Sequence, residues 1–225
     1  MRYMIHAYPG RMWYAEGYLV PKLKSLGIRA KDIVVWNDAE GKGNLHSCME
    51  AFAWCGAHKT KSGTWHLQDD VVPCHDFGKR TKEAEGVVCG FKADNPKGSR
   101  RSRLGAYNAG GTVKPAEMWW SFQCIHIPDD IAGECALWFY DTASRDATCA
   151  EYLTKGTGDD VIFRRFLMMK HPTMDVTQVT PNLVNHIAEL IGGSTVNTGS
   201  GFRSASFEDC GEWEEAANWI EQNRG

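Results

Sequence analysis

Apolar and polar positions alternate along the first ninety residues in a way that predicts strands separated by helices. Tyr3 to Ala7 (YMIHA) is a short apolar run, broken at once by Pro9 and Gly10, and reads as an opening strand. Glu16 to Leu26 places Leu19, Val20, Leu23 and Leu26 on one helical face, and Gly27 closes it. The β-branched run Asp32 to Trp36 predicts a second strand, ending in Asn37-Asp38 and the Gly-rich turn Glu40 to Gly43. Helical spacing returns in Leu45 to Gly56, followed by strands at Thr64 to Val72 and Gly86 to Phe91. Strands that alternate with helices pack as a largely parallel sheet covered on both faces.

Beyond residue 91 the pattern is less regular. Asp94 to Gly111 is rich in Gly, Arg, Ser and Asn and reads as a mobile loop. Glu117 to Ile127 predicts a strand, and Glu134 to Phe139 a helix or a strand. Gly158 to Lys170 is a helix with a polar start, Thr180 to Ile191 a Pro-led helix, and Glu212 to Gln222 a closing amphipathic helix. Thr195 to Ser204 is a second Gly- and Ser-rich loop. With no repeat and no linker, the chain reads as one α/β domain over residues 1–225, a Rossmann-like mixed, mostly parallel sheet flanked by helices.

Composition narrows the function classes. A net charge of -3 gives no global attraction to nucleic acid or anionic membrane, so only the basic run Lys97 to Arg103 (KGSRRSR) offers a local grip on a polyanion. The chain has no apolar run long enough to span a bilayer and no signal-peptide pattern, which predicts an intracellular, cytoplasmic protein. Its eight cysteines lack paired metal spacing and are expected to be reduced core thiols, although Cys74-His75 and Cys124-x-His126 each offer two zinc-ligating side chains close together. Nine tryptophans supply core volume or stacking platforms for sugars.

The sharpest chemical signal is Asp69-Asp70 closing the apolar strand Thr64 to Val72. Paired acids at such a place are costly unless something binds them, and carboxylate oxygens suit magnesium or manganese. The plainer reading is a turn whose carboxylates face water. A second acid pair, Asp159-Asp160, opens a helix, where aspartate also serves as an ordinary cap.

Taken together, the order of these motifs resembles glycosyltransferases of the GT-A fold, specifically the lipopolysaccharide and collagen galactosyltransferase type. Gln68-Asp69-Asp70-Val71 stands where that family has E-D-D-V, Gly158-Asp159-Asp160-Val161 is similar to its acidic pair at an acceptor-side helix, and Pro181-Asn182-Leu183-Val184-Asn185-His186 is similar to its P-x-L-V-x-H element. Gln68 departs from the family's acidic residue, which moves the expected metal contact to Asp70. The resemblance implies Mn2+ or Mg2+ as cofactor, a nucleotide-diphosphate sugar as donor and a glycan as acceptor, while the basic run Lys97 to Arg103 leaves a polyanion such as modified DNA open as the acceptor.

Residue by residue, the resemblance implies Asp70 as metal ligand, with His186 as a second one, and Asp69 as a contact to ribose or donor sugar. Asp38 and Arg11 would hold the nucleotide and its phosphates. Apart from the resemblance, Phe202 and Arg203 in the Thr195 to Ser204 loop are expected to close over the diphosphate, and one of Trp119 and Trp120, here Trp120, to stack the acceptor. Asp159 is expected to cap its helix and Asp160 to act as general base, although a helix N-terminus lowers a carboxyl pKa and weakens the base. Each position has a plainer reading: a solvated Arg11, an Asp38 that shapes a turn, a structural His186, a core Trp120. Two other functions remain open, a non-catalytic sugar- or nucleotide-binding module and a glycoside hydrolase. The latter is disfavoured because Asp69 and Asp70 point to opposite faces if the strand continues through them.

Overall fold

The computed structural model describes residues 1–91, 110–117, 122–143, 145–192 and 207–224. The first strand, β1 (Arg2–Ala7), is followed by a tight turn at Pro9–Arg11 and by helix α1, which runs through Met12–Tyr14, a π turn at Ala15–Leu19 and Val20–Ser25. Then come β2 (Ile33–Asn37), α2 (Asn44–Ala57), β3 (Thr64–Gln68), β4 (Val71–Pro73), α3 (Phe77–Arg80), β5 (Val87–Cys89), β6 (Gly111–Val113) and β7 (Cys124–Ile127). The chain continues through α4 (Asp129–Thr142), α5 (Ala147–Lys155), α6 (Asp159–Lys170), β8 (Val176–Gln178), β9 (Val184–His186) and α7 (Glu212–Asn223).

Seven strands form one sheet in the order β2-β1-β3-β7-β5-β8-β6, and β4 pairs with β9 in a separate two-stranded ribbon. β2, β1, β3, β5 and β8 run one way while β7 and β6 oppose them, so the sheet is mixed with a majority of strands in one direction. Side-chain alternation assigns the two faces. Tyr3, Ile5, Trp65 and Leu67 turn toward α1 and α7, in a core shared with Tyr14, Leu19, Leu23 and Ile220. Met4, Val87, Cys89, Ile125 and Ile127 turn the other way, against Phe52, Phe139, Phe163 and Phe166. On the first face, Trp13 and Trp219 stack with centroids 5.7 Å apart, which seats α7 on α1.

Three elements differ from the sequence expectation, each for a packing reason. The expected strand Thr64 to Val72 breaks at Asp69-Asp70, because β3 and β4 belong to different sheets. The expected helix Thr180 to Ile191 contains β9 instead: Val184–His186 pairs with Val71–Pro73, and that pairing inserts Leu183, Val184 and Ile187 into the core. In Glu117 to Ile127 only Cys124–Ile127 is strand among the described residues, and the ambiguous Glu134 to Phe139 lies inside a long helix. Among the described residues no helix is long and apolar enough to cross a membrane.

Candidate functional site

β1, β2 and β3 are parallel and in register, so their last residues, Ala7, Asn37 and Gln68, end on the same edge of the sheet. Ligand sites of open α/β sheets form at this edge. Two acidic clusters occupy it.

The first cluster is built by the break after β3. With the strand interrupted, both carboxylates of Asp69-Asp70 swing to one guanidinium: Arg11 Nη1 lies 3.1 Å from Asp69 Oδ1 and 3.2 Å from Asp70 Oδ2. The backbone N–H of Tyr8 donates to Asp69 Oδ2 at 2.6 Å, locking the β1 loop to the acid pair. β9 delivers His186, whose Nε2 stands 3.1 Å from Asp70 Oδ2. Tyr14 donates to Val71 O at 3.0 Å and braces the strand behind the pair. Arg11, Asp69, Asp70 and His186 are all buried. Asp70 Oδ1 is buried and accepts no hydrogen bond from the described residues. Burial raises the pKa of Asp69 to about 6, helped by the neighbouring charge of Asp70. Burial also acts against the Asp70 carboxylate, but His186 and Arg11 outweigh it and its pKa is lowered.

This geometry corrects two expectations. Adjacent acids were to point to opposite faces, and they converge because the strand ends. Arg11 was to face phosphate or water, and it is buried between two carboxylates because they need a counter-charge there.

The second cluster lies where the loop after β2 meets the start of α6. Asp38 accepts from the backbone N–H groups of Lys42 and Gly43, both at 2.9 Å, and so shapes that loop in the manner of an Asx turn. Gly43 has φ +89, and a Cβ there would meet Gly156 O at 2.9 Å, so only glycine lets the two loops touch. Leu45 N–H donates to Gly156 O at 3.1 Å and Asn44 Nδ2 to Asp159 Oδ1 at 2.9 Å, which ties the start of α2 to the start of α6.

The cap of α6 is Gly158, with φ +89, where a Cβ would run into the Tyr152 ring. Asp159 is therefore the first helical residue and not the N-cap, which moves the expected cap back by one residue: a left-handed glycine turns the chain, and the Asp159 carboxylate meets backbone N–H groups of the first turn. Burial, followed by the charge of Asp160, raises the pKa of Asp159 to about 7. Asp160 is half-buried and sits beside the Val161 N–H, 2.8 Å from its Oδ1, yet burial raises its pKa to about 6. The expected lowering by the helix terminus is thus reversed by desolvation.

Trp119, Trp120, Phe202, Arg203 and the Lys97 to Arg103 run lie outside the described residues. A feature that sequence reasoning missed sits directly below the edge. His6 Nε2 and His66 Nδ1 are 2.8 Å apart on neighbouring strands, and burial lowers His6 to about 4 and His66 well below its ordinary range. Its signal was available, since both histidines interrupt apolar strand runs. A hollow of about 840 Å³ opens at the opposite edge, lined by Lys59, Lys61, Lys82 and Asp129, and none of the expected site residues reaches it. Size does not select it over the carboxyl edge, where the buried acids converge.

Comparison of the chain with protein-family models, with curated proteins and with solved structures finds no match.

Proposed function

We propose that the protein is a metal-dependent glycosyltransferase of GT-A type that moves a sugar from a nucleotide-diphosphate carrier to an acceptor hydroxyl. One observation carries the reading: Asp70 and His186 present oxygen and nitrogen to one spot at the carboxyl edge, and the second Asp70 oxygen is buried without a hydrogen bond from the described residues. Their 3.1 Å separation suits neighbouring ligands of an octahedral cation, for which bonds of about 2.1 Å give about 3 Å between adjacent donors. Asp70 and His186 would hold Mn2+ or Mg2+. When bound, the cation neutralises charge on the departing diphosphate.

The other residues have separable tasks. Arg11 keeps Asp69 and Asp70 ionisable side by side, and Asp69 fixes the loop after β1 through the Tyr8 N–H. Asp160, with a pKa of about 6, accepts the proton of the acceptor hydroxyl. Asp38 shapes the loop against which a nucleotide would lie, and Asp159 holds that loop to α6 through Asn44.

A panel of nucleotide sugars, scored by calorimetry with and without Mn2+, tests the proposal. The expected result is metal-dependent binding that Asp70→Asn abolishes while the fold stays intact. Because Arg11 already balances both carboxylates, a second reading is a nucleotide- or sugar-binding module that needs no cation. Binding that is equally tight in EDTA, and unchanged in Asp70→Asn, selects that reading and rejects the transferase.

A further inference from the structure

A third cluster lies away from both acid pairs, where the chain leaving β4 meets the first turn of α7. His75, Cys210 and Glu212 each bring one ligand atom there, and these atoms lie within 4.8 Å of one another. Among the described residues no other three His, Cys, Asp or Glu side chains gather this way. From these residues we infer a zinc site whose ligands are the His75 imidazole, the Cys210 thiolate and the Glu212 carboxylate.

Three observations converge on it. Glu212 is only 4% exposed, and its Oε1 accepts no hydrogen bond from the described residues. A buried carboxylate oxygen left that way costs free energy unless a cation takes it up. That oxygen stands 3.3 Å from His75 Nδ1. Zinc bonds of about 2.0–2.1 Å in a tetrahedron put nitrogen and oxygen ligands about 3.3 Å apart. Finally, the other carboxylate oxygen is already held, because the Cys210 N–H donates to Glu212 Oε2 at 2.6 Å. This bond orients Oε1 toward His75, as a hydrogen bond behind a metal ligand does.

The donor set chooses the metal. A thiolate with an imidazole favours zinc over magnesium, calcium or manganese, so the site is chemically distinct from the Asp70–His186 pair. The remaining seven cysteines are buried and Cys210 alone is exposed, so a single thiol is accessible to the ion. Binding would join α7 to the end of β4, the strand that continues from Asp70, and three protein ligands leave a fourth position for water. The site does not depend on the glycosyltransferase reading.

Cobalt(II) titration of the whole chain tests it, because a cobalt–thiolate bond gives a near-ultraviolet charge-transfer band. One equivalent of cobalt should saturate the band, and zinc should displace it. Cys210→Ser should abolish the band and His75→Ala should weaken cobalt binding tenfold or more; both positions are exposed, so neither change threatens folding. Zinc at a hundredfold excess over its Kd should raise the melting temperature by about 5 °C or more in the parent chain. That shift should disappear in Cys210→Ser. Asp70→Asn should leave band and shift unchanged. A missing band, or one that survives Cys210→Ser, overturns the zinc site.

Discussion

Asp69-Asp70 and Asp159-Asp160 are the same dipeptide at the same edge of the sheet, each with its first aspartate buried. Their surroundings differ in one respect. The first pair meets the Arg11 guanidinium and the His186 imidazole, and one of its carboxyls is pulled below the ordinary range. The second pair meets Asn44 and backbone N–H groups, with no salt bridge to it among the described residues, and both its carboxyls rise, to about 7 and about 6. Burial acts alike on both pairs, and Asp69 rises to about 6 as Asp160 does; Arg11 and His186 single out Asp70 alone as the carboxyl that holds a fixed charge. A fixed charge suits a site for a cation or a phosphate-bearing ligand. A carboxyl near pKa 6 suits a base.

The strongest way to break this contrast is to remove the cation. Arg11→Ala should destabilise the fold by about 3–5 kcal/mol at neutral pH, because it leaves adjacent buried carboxylates uncompensated. Urea denaturation measures the loss, and adding Asp69→Asn should recover part of it. A loss under about 1 kcal/mol would mean that the guanidinium does not balance the pair.

The next effect is on turnover. Asp160→Asn should lower it by about a hundredfold or more, with donor affinity and melting temperature nearly unchanged. In the parent chain the rate should climb as pH rises through about 6, where the carboxyl loses its proton. Near-normal turnover in the variant would remove Asp160 as the base.

Asp70 and Asp159 should also respond to pH with opposite signs. Asp159 titrates near 7 in the fold against an ordinary 3.8, so the native state holds its proton more tightly than the unfolded chain. Its contribution is full below about pH 4 and is lost as pH rises toward 7. Asp70 is shifted down, so its contribution is present above the ordinary carboxyl range and is lost as pH falls below it. Asp159→Asn should therefore raise stability by on the order of 1–3 kcal/mol at pH 8 and change it little at pH 4. Melting curves across that range check this, and a uniform offset at every pH would show that the carboxyl is not strained by burial.

The smallest effect sharpens the same point. Asn44→Ala removes the amide donor to Asp159 and should cost about 1 kcal/mol at pH 8, less at pH 5, where Asp159 is largely protonated. Equal losses at both pH values would place the Asn44 contribution elsewhere, in the start of α2.

Local patterning made much of the fold legible. β1, α1, β2, α2 and β3 follow from apolar spacing interrupted by Gly and Pro, and their alternation implied the parallel arrangement of the first three strands. Both acid pairs stood out because charge at the end of a strand or the start of a helix is conspicuous against apolar neighbours. His186 and Arg11 were named, but their partners were not. Residues 181–191 carry a helix-like pattern, and β9 exists only because Val71–Pro73 offers it a ladder.

What the sequence by itself determined is therefore local: the order of the early elements, the apolar faces and the presence of two Asp-Asp pairs. What tertiary structure decided is which charge meets which. The β3–β4 break turns two carboxylates to one arginine, β9 delivers His186, and the chain folds back to set Glu212 beside His75. The reason is physical. Strand and helix periodicity arise from neighbouring residues, whereas burial and countercharge depend on groups 58, 116 or 137 positions apart, as for Arg11 with Asp69, Asp70 with His186, and His75 with Glu212.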